Sequence, residues 1–251
     1  MTAHGASGGC HLPGCRLKLD KMGHLLLAGG GEFGGRMSEL DLRAIELAGG
    51  FNAPVCIIPT AAAPDYNHKN SGNNGVRWFK RLGSKNVFAV NVIDSNSAND
   101  STLAASIRTS GLIYLPGGFP RYLGETLANS MCWQAALDAY KNGAVIAGSS
   151  AGAMVLCEHY YNPYEKELLR GLNLIPNTCV LPHHNTFGKS WVQQLLQQLP
   201  EATLIGIDER TGIVNDADGS WQVYGAGEIV LYRGDQSKGH ARGAHFNLMD
   251  V

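Results

Sequence analysis

The sequence predicts an α/β fold: three layers, with an open, mostly parallel sheet between helices on both faces, and antiparallel strands towards the C-terminus. Three observations support this prediction. From His24 onward, short apolar runs alternate with longer amphipathic stretches, the order that parallel strands with crossover helices require. The runs lack polar alternation, which suits strands buried on both faces. Beyond residue 212, short strand-like segments separated by Asp/Gly turns indicate an antiparallel meander.

The individual elements follow from the same patterns. Apolar runs rich in Val, Ile or Leu predict parallel strands at 24–28, 54–58, 86–91, 111–115 and 144–147, and a later strand at 203–207. Helical spacing of apolar residues predicts helices at 36–48, 122–140 and 189–198. The Ser/Asn-rich stretches 67–75 and 95–101 are interpreted as exposed loops. The meander comprises 212–215, 221–224 and 228–232.

Composition narrows the classes of partner. The chain has 251 residues, 44% hydrophobic, with a formal net charge of -1. This suits one globular domain, expected over 23–251. There is no long Lys/Arg cluster for nucleic acid, and no apolar run approaches the roughly 20 residues of a membrane span. A small molecule or peptide is therefore the expected partner, and both a monomer and a homodimer stay open.

The N-terminal residues 1–22 show no periodicity and no continuous apolar core of a secretory signal. We expect a disordered arm there and a cytoplasmic protein. The six cysteines are scattered without a Cys-x-x-Cys pair. They are therefore expected to be reduced, not disulfide-bonded or bound to zinc.

The turn at 148–153, Gly-Ser-Ser-Ala-Gly-Ala, joins a predicted buried strand to the start of a small-residue helix. It matches the nucleophile elbow Gly-x-Ser-x-Gly, in which a sharp turn exposes the central side chain, here Ser150. Small residues two positions before and after it let strand and helix pass without collision. The alternative is a chance Gly/Ser/Ala turn in a chain with 32 glycines; the strand and helix on either side favour the elbow.

A serine hydroxyl needs a base to accept its proton. The pair His183-His184 follows the apolar run 179–181 and precedes a predicted helix, so it also lies on a turn at a strand end. Adjacent residues of an extended segment point to opposite sides, so only one of the two can face Ser150. The alternative is that both histidines hydrogen-bond to loop backbone.

Backbone N–H groups can stabilise a developing oxyanion. Ala151, directly after the candidate nucleophile, supplies one, and Leu-Pro-Gly-Gly at 115–118 could bring a second close to the substrate. The glycine-rich stretch 29–35 contains a formal Gly-x-Gly-x-x-Gly. It lacks the acidic residue about 20 positions further on that a dinucleotide site needs. We expect neither cofactor nor metal.

Several motifs resemble, in order and spacing, those of the peptidase family of cyanophycinase and dipeptidase E, over about residues 24–232. They are Leu-Pro-Gly-Gly at 115–118, Gly-Ser-Ser-Ala-Gly-Ala at 148–153, Gly-Leu-Asn-Leu-Ile-Pro-Asn at 171–177, Leu-Pro-His at 181–183 and Ile-Gly-Ile-Asp-Glu at 205–209. The resemblance implies a fold like the class I glutamine amidotransferases, with serine in place of their cysteine.

Residue by residue, the resemblance implies Ser150 as nucleophile, His183 as general base, and Gly118 and Ala151 as oxyanion donors. Ungapped alignment onto the dipeptidase pattern puts the acidic member at Glu165.

The segment between serine and histidine is shorter here than in that pattern, so Glu158 and Glu167 are alternatives to Glu165 as the acid. The function implied is a serine-type peptidase or amidohydrolase that cleaves a peptide or isopeptide bond through a Ser-His-Glu triad and an acyl-enzyme. The alternative is a non-catalytic member of this fold that binds a small molecule or a protein.

The chain departs from the family around the substrate. Cyanophycinases carry an Asp-Gln pair before the histidine and arginines soon after it, which hold an aspartyl substrate. Here Leu181-Pro182 and the stretch 185–189, Asn-Thr-Phe-Gly-Lys, occupy those places, and Phe119-Pro120 replaces a polar pair. Aspartyl specificity is therefore not predicted. Arg121 and Lys189 are candidate carboxylate ligands, with an ordinary solvated charge as the alternative for each.

Overall fold

Two β-sheets organise the computed structural model, which describes residues 22–251; apart from Met22, the predicted arm lies outside the described residues. The strands are β1 (His24–Ala28), β2 (Val55–Ile57), β3 (Val87–Ala89), β4 (Leu112–Leu115), β5 (Val145–Ser149), β6 (Cys157–Asn162), β7 (Glu167–Arg170), β8 (Ile175–Leu181), β9 (Thr203–Ile207), β10 (Thr211–Asn215), β11 (Trp221–Gly225), β12 (Glu228–Arg233), β13 (Gln236–Ala241) and β14 (His245–Phe246). The helices are α1 (Ser38–Leu47), α2 (His68–Arg81), α3 (Ser95–Ala98), α4 (Ser101–Arg108), α5 (Pro120–Leu127), α6 (Met131–Lys141), α7 (Ala151–Leu156) and α8 (Val192–Gln198).

The larger sheet has the strand order β14-β11-β10-β1-β5-β4-β2-β3. Five neighbouring strands of this sheet, β1, β5, β4, β2 and β3, are parallel. Strands β10, β11 and β14 extend the sheet beyond β1 in antiparallel pairing. The smaller sheet has the order β13-β12-β9-β8-β6-β7, with a parallel centre of β6, β8 and β9. The predicted α/β class, with a largely parallel sheet between helices, is confirmed. The second sheet was not predicted. Of the three strands of the predicted meander, β10 and β11 belong to the larger sheet, whereas β12 pairs with β9 in the smaller sheet.

Alternating side chains along β1 assign helices to opposite faces of the larger sheet. Leu26 lies in a buried cluster with Leu40 of α1 and Trp78 of α2. Leu27 faces the other way, into a cluster that also contains the buried side chains of α4 to α7 and Ile205 of the second sheet. The helices therefore form layers on both faces, and the second sheet packs against the layer that contains α7.

Both predicted Ser/Asn-rich loops are wrong, because tertiary packing overrides their low helix propensity. Helix α2 begins at His68 and buries Trp78 and Phe79 against the sheet. The other segment forms α3 and the start of α4, whose first turns are capped by the side chains of Asp94 and Asp100. Asp94 accepts a hydrogen bond from the backbone N–H of Ser97, the N-cap contact that starts such a helix.

The predicted helix 122–140 is two helices. Asn129 adopts a left-handed conformation (φ 58°), and the Ser130 side chain then accepts the backbone N–H of Trp133 to start α6. Helix α8 is likewise shorter than predicted, because residues Gly188–Trp191 form a 3-10 turn. In the described part of the chain, no helix combines the length and the apolarity that crossing a membrane would require.

One buried carboxyl makes stability depend on pH. Asp41 is fully buried, and its Oδ2 accepts the indole N–H of Trp78 at 2.7 Å. Burial raises the pKa of Asp41 from 3.8 to about 7. Since the folded pKa is the higher one, the unfolded chain ionises first as pH rises from 4. The free energy of unfolding therefore falls through that window and levels off above pH 7.

We expect Asp41→Asn to raise the free energy of unfolding above pH 7 by up to about 4 kcal/mol, because a neutral amide avoids the buried charge. The gain should shrink towards pH 4, where the carboxyl is protonated in both states. Urea denaturation from pH 4 to 8 measures this. The exposed Asp235 provides a control, since Asp235→Asn should show no such pH dependence.

Candidate active site

Ser150 occupies a sharp turn between β5 and α7. Its backbone is in a left-handed conformation (φ 49°, ψ −114°), and its N–H donates to the carbonyl of Ala28 at 2.9 Å. A Cβ atom on Gly148 would lie 2.5 Å from the backbone of Gly152, and one on Gly152 would lie 1.9 Å from the Leu115 carbonyl oxygen. Such contacts are impossible, so the two glycines permit the close approach that the elbow pattern predicts.

His183 lies against this serine. The distance from Ser150 Oγ to His183 Nε2 is 2.9 Å. The His183 backbone N–H donates to the Gly29 carbonyl at 2.8 Å, tying the end of β8 to the end of β1. A Cβ on Gly30 would lie 2.4 Å from Cε1 of the His183 ring. Part of the glycine-rich stretch therefore makes room for the imidazole.

Glu209 completes the chain of contacts. The distance from His183 Nδ1 to Glu209 Oε1 is 3.0 Å. Glu209 follows β9, the neighbour of β8, so the two residues emerge from adjacent strand ends. The Glu209 backbone N–H donates to Asn185 Oδ1 at 3.0 Å, which fixes this loop to the turn after His183.

The prediction of Glu165 at this position needs correction. The Glu165 carboxylate pairs with Arg121 and accepts the side-chain amide of Asn162, while Glu209 holds the imidazole. Both Glu165 and Glu167 lie on the β6–β7 hairpin and pair with the Arg121 guanidinium.

The remaining alternative, Glu158, accepts the backbone N–H of Asn177 and pairs with Arg170, so it is likewise occupied. The backbone hydrogen bond lowers its pKa. The sequence did contain a signal for Glu209: it ends the motif 205–209, directly after a predicted strand. It lies after His183 in the chain, outside the segment between serine and histidine in which the family pattern puts the acid.

His184 points away from Ser150, as predicted for one member of the pair. Its Nε2 lies 2.8 Å from the Tyr232 hydroxyl and its Nδ1 lies 3.4 Å from Asp208 Oδ1. Burial lowers the pKa of His184. These contacts join β8, β9 and β12, so His184 supports the second sheet beneath the site.

The proposed oxyanion donors lie beside the serine. Gly118 and Ala151 line the same cavity as Ser150, of about 260 Å³. Across the described residues, neither backbone N–H has an intramolecular acceptor. The loop that carries Gly118 is held by Glu32: its Oε1 accepts the Gly117 N–H and its Oε2 accepts the Ser149 hydroxyl, both at 2.9 Å.

Two cavities meet at Gly118. The one that contains Ser150 is lined by Met154, Tyr164, Phe187 and Trp191 among others. The second, about 540 Å³, is polar and runs past Glu32, Asp65 and Arg77. Within residues 22–251, no group of three or more His, Cys, Asp or Glu residues is arranged to hold a metal ion. The four described cysteines are buried and unpaired, while Cys10 and Cys15 lie outside the described residues.

The candidate carboxylate ligands are not at the serine. Arg121 is shared among Glu125, Glu165 and Glu167, which leaves it no net charge for a substrate. Lys189 is exposed in the 3-10 turn after Phe187 and does not line the Ser150 cavity. Arg121 is therefore better described as part of a structural ion-pair cluster, and Lys189 as a solvated surface charge, than as ligands of a substrate carboxylate.

The arrangement as a whole brings a hydroxyl, an imidazole and a carboxylate into one hydrogen-bonded line at the carboxyl ends of β5, β8 and β9. Such a line can activate the hydroxyl for attack on a carbonyl. The strand ends of a parallel sheet are also where ligands bind in open α/β folds.

Comparison with known proteins identifies the family. Residues 25–221 match the model of peptidase family S51. The chain is 28% identical to the cyanophycinase of Geminocystis herdmanii, over 84% of this chain and 80% of that protein. It is 27% identical to the cyanophycinase of Trichormus variabilis, over 73% of this chain and 64% of that protein.

A solved structure extends the match to the fold. A peptidase from an acI-B1 Actinobacterium superimposes with a TM-score of 0.83 at 30% identity, covering 91% of this chain and 98% of that one. With the family model covering most of the described residues, the chain belongs to peptidase family S51, the hydrolases of cyanophycinase and dipeptidase E, and is a serine peptidase.

Proposed function

We propose that this peptidase hydrolyses a peptide or isopeptide bond of a small peptide, with Ser150, His183 and Glu209 as its triad and an acyl-enzyme as intermediate. The observation that carries the proposal is the unbroken line of contacts from Ser150 Oγ through the two ring nitrogens of His183 to Glu209. The sharp turn at Ser150 (φ 49°) supports it, since strained backbone is typical of a nucleophile elbow.

In the first half of the reaction, Ser150 Oγ attacks the carbonyl carbon while His183 Nε2 takes the hydroxyl proton. Glu209 accepts the Nδ1–H of His183, which keeps Nε2 free as the base and stabilises the imidazolium that forms. The N–H groups of Gly118 and Ala151 stabilise the oxyanion. The C–N bond then breaks, and His183 returns the proton to the leaving amine.

In the second half, a water molecule gives its proton to His183 Nε2 and attacks the acyl carbon. The ester bond to Ser150 breaks, and the proton passes from His183 to Ser150 Oγ, so that the enzyme is regenerated. Every proton is carried by groups of the chain and by water. The cyanophycinase relatives support hydrolysis as the class of reaction.

A screen of dipeptides and isopeptides tests this function directly. The wild type should release free amino acids from at least one peptide, and Ser150→Ala should release none above background. A wild type that cleaves none of the peptides, or a Ser150→Ala variant that matches it, would overturn the proposal. Mass spectrometry of the products identifies the bond cleaved.

Glu32 is proposed as a positioning residue, since it accepts one hydrogen bond from each side of the oxyanion site, at Gly117 and at Ser149. We expect Glu32→Ala to lower kcat about 10-fold to 100-fold with little change in KM, because a loosened oxyanion donor weakens only the transition state. Glu32→Gln keeps one acceptor oxygen and should recover part of the loss. Equal kcat in Glu32→Ala and wild type would contradict this role.

A further inference from the structure

The cavity beside Ser150 has walls of an unusual kind for a site that would bind an acidic substrate. Its lining side chains are apolar or aromatic almost throughout: Pro120, Met154, Pro163, Tyr164, Pro182, Phe187 and Trp191. Apart from His183, the described residues that line it include no cation. A carboxylate placed there would lose its hydration without gaining a counter-charge, which is costly.

The aromatic side chains of the cavity pack on one another. Phe187 stacks on the His183 ring, with centroids 4.9 Å apart and planes 27° apart, and the centroid of Trp191 lies 5.5 Å from that of Phe187 in a tilted arrangement. Trp191 packs in turn on the buried ring of Tyr161, 5.1 Å away. A wall that is already ordered costs little entropy when a ligand binds.

The opposite wall leaves apolar surface uncovered. Tyr164 stacks on Phe119 at 5.1 Å and is 66% exposed, and Phe187 is 49% exposed. Two large aromatic side chains at the mouth of one cavity, next to the candidate nucleophile, indicate a surface that a ligand covers. The guanidinium of Arg121, next to the lining residue Pro120, pairs with three glutamates, so this group of four residues offers no net positive charge.

We propose that this cavity binds a large apolar or aromatic side chain of a residue that flanks the scissile bond, and that the enzyme selects such peptides against aspartyl peptides. The inference rests on the proposed function of Ser150, because it assigns the substrate of the same site. Met154 and the rings of Tyr164, Phe187 and Trp191 would contact this side chain. The polar cavity on the other side of Gly118 is left for the remainder of the peptide.

Two matched dipeptide series test the selectivity, Xaa-Ala and Ala-Xaa, with Phe, Leu, Ala, Asp and Lys at the variable position. In one series, kcat/KM for Phe or Leu should exceed that for Asp by about 100-fold, since an apolar pocket gains from each buried carbon and rejects an uncompensated charge. The series in which kcat/KM depends on the variable residue shows whether the cavity binds the side chain before or after the scissile bond. The Ser150→Ala variant gives the background.

Variants at the mouth of the cavity sharpen the test. Phe187→Ala should lower kcat/KM for the Phe peptide about 10-fold more than for the Ala peptide, because it removes one wall of the pocket. Phe187→Arg should raise kcat/KM for the Asp peptide relative to that for the Phe peptide, because the arginine supplies a counter-charge. Phe51, 47% exposed and outside the cavity, is the matched control, and Phe51→Ala should leave every ratio unchanged.

The two ways of failing are distinct. If the wild type cleaves Asp peptides as well as or better than Phe and Leu peptides, and Ser150→Ala abolishes that activity, the pocket assignment is overturned while the proposed function stands. If neither series is cleaved, or cleavage survives in Ser150→Ala, the proposed function fails and the pocket assignment fails with it. Unchanged ratios in Phe187→Ala would also overturn the assignment.

Discussion

Ser150→Ala is expected to lower kcat/KM by about 10⁵-fold or more, because no other group can form the acyl bond and only the oxyanion donors and binding remain. His183→Ala should lower kcat/KM by about as much, since the Ser150 hydroxyl, 2.9 Å from His183 Nε2 in the wild type, then has no base. The two residues act as one unit, so the double variant should be no slower than either single variant. Rates on the best substrate of the dipeptide screen measure this.

Folding must be checked alongside activity. Ser150 lines a cavity and its Oγ contacts the imidazole of His183, whose side chain is 19% exposed, so water can replace the lost hydroxyl. The midpoint of thermal unfolding should therefore stay within a few degrees of the wild type. A folded Ser150→Ala variant with full activity would rule out this serine as the nucleophile, and a double variant much slower than both single variants would argue against a shared step.

Glu209→Gln is expected to lower kcat by about 10³-fold to 10⁴-fold. A glutamine amide can donate a hydrogen bond to Nδ1 and so favour the tautomer that protonates Nε2, the wrong one for a base. The carboxylate at 3.0 Å from Nδ1 also stabilises the imidazolium, and the amide does not. KM should change much less, because Glu209 does not line the Ser150 cavity.

Glu165→Gln is the matched control for this prediction. Glu165 belongs to the exposed cluster around Arg121, where a single ion pair contributes little. Its replacement should change kcat by no more than about twofold, on the scale of a surface ion pair. The opposite result, a large loss in Glu165→Gln with full activity in Glu209→Gln, would return the acidic role to the residue that alignment favours.

Much of the central sheet could be predicted from sequence, because strands buried on both faces leave continuous apolar runs. The strands at His24–Ala28 and Thr203–Ile207 agree residue for residue with the prediction. Helix α2 could not be predicted, since Gly72 and Gly75 take two positions of its buried face without an apolar side chain, and its stability comes from packing of Trp78 and Phe79. Local propensity carries no information about such partners.

The second sheet illustrates the same limit. Strands β6 and β7 form a hairpin but carry polar residues such as Glu158 and Glu167, so they leave no continuous apolar run in the sequence. The parallel pairing of β8 with β9 places Glu209, just after β9, beside His183, just after β8. Ser150 and His183 could be found from local turns, whereas their acidic partner depends on this pairing of strands.

A serine-directed fluorophosphonate probe tests the central claim most directly, that Ser150 is a nucleophile activated by His183 and Glu209. After labelling of the folded wild type at neutral pH, digestion and mass spectrometry should find one adduct, on Ser150. The adduct should be absent from Ser150→Ala and His183→Ala and form more slowly in Glu209→Gln. An adduct on another residue, or a folded wild type in which Ser150 stays unlabelled, would contradict the account.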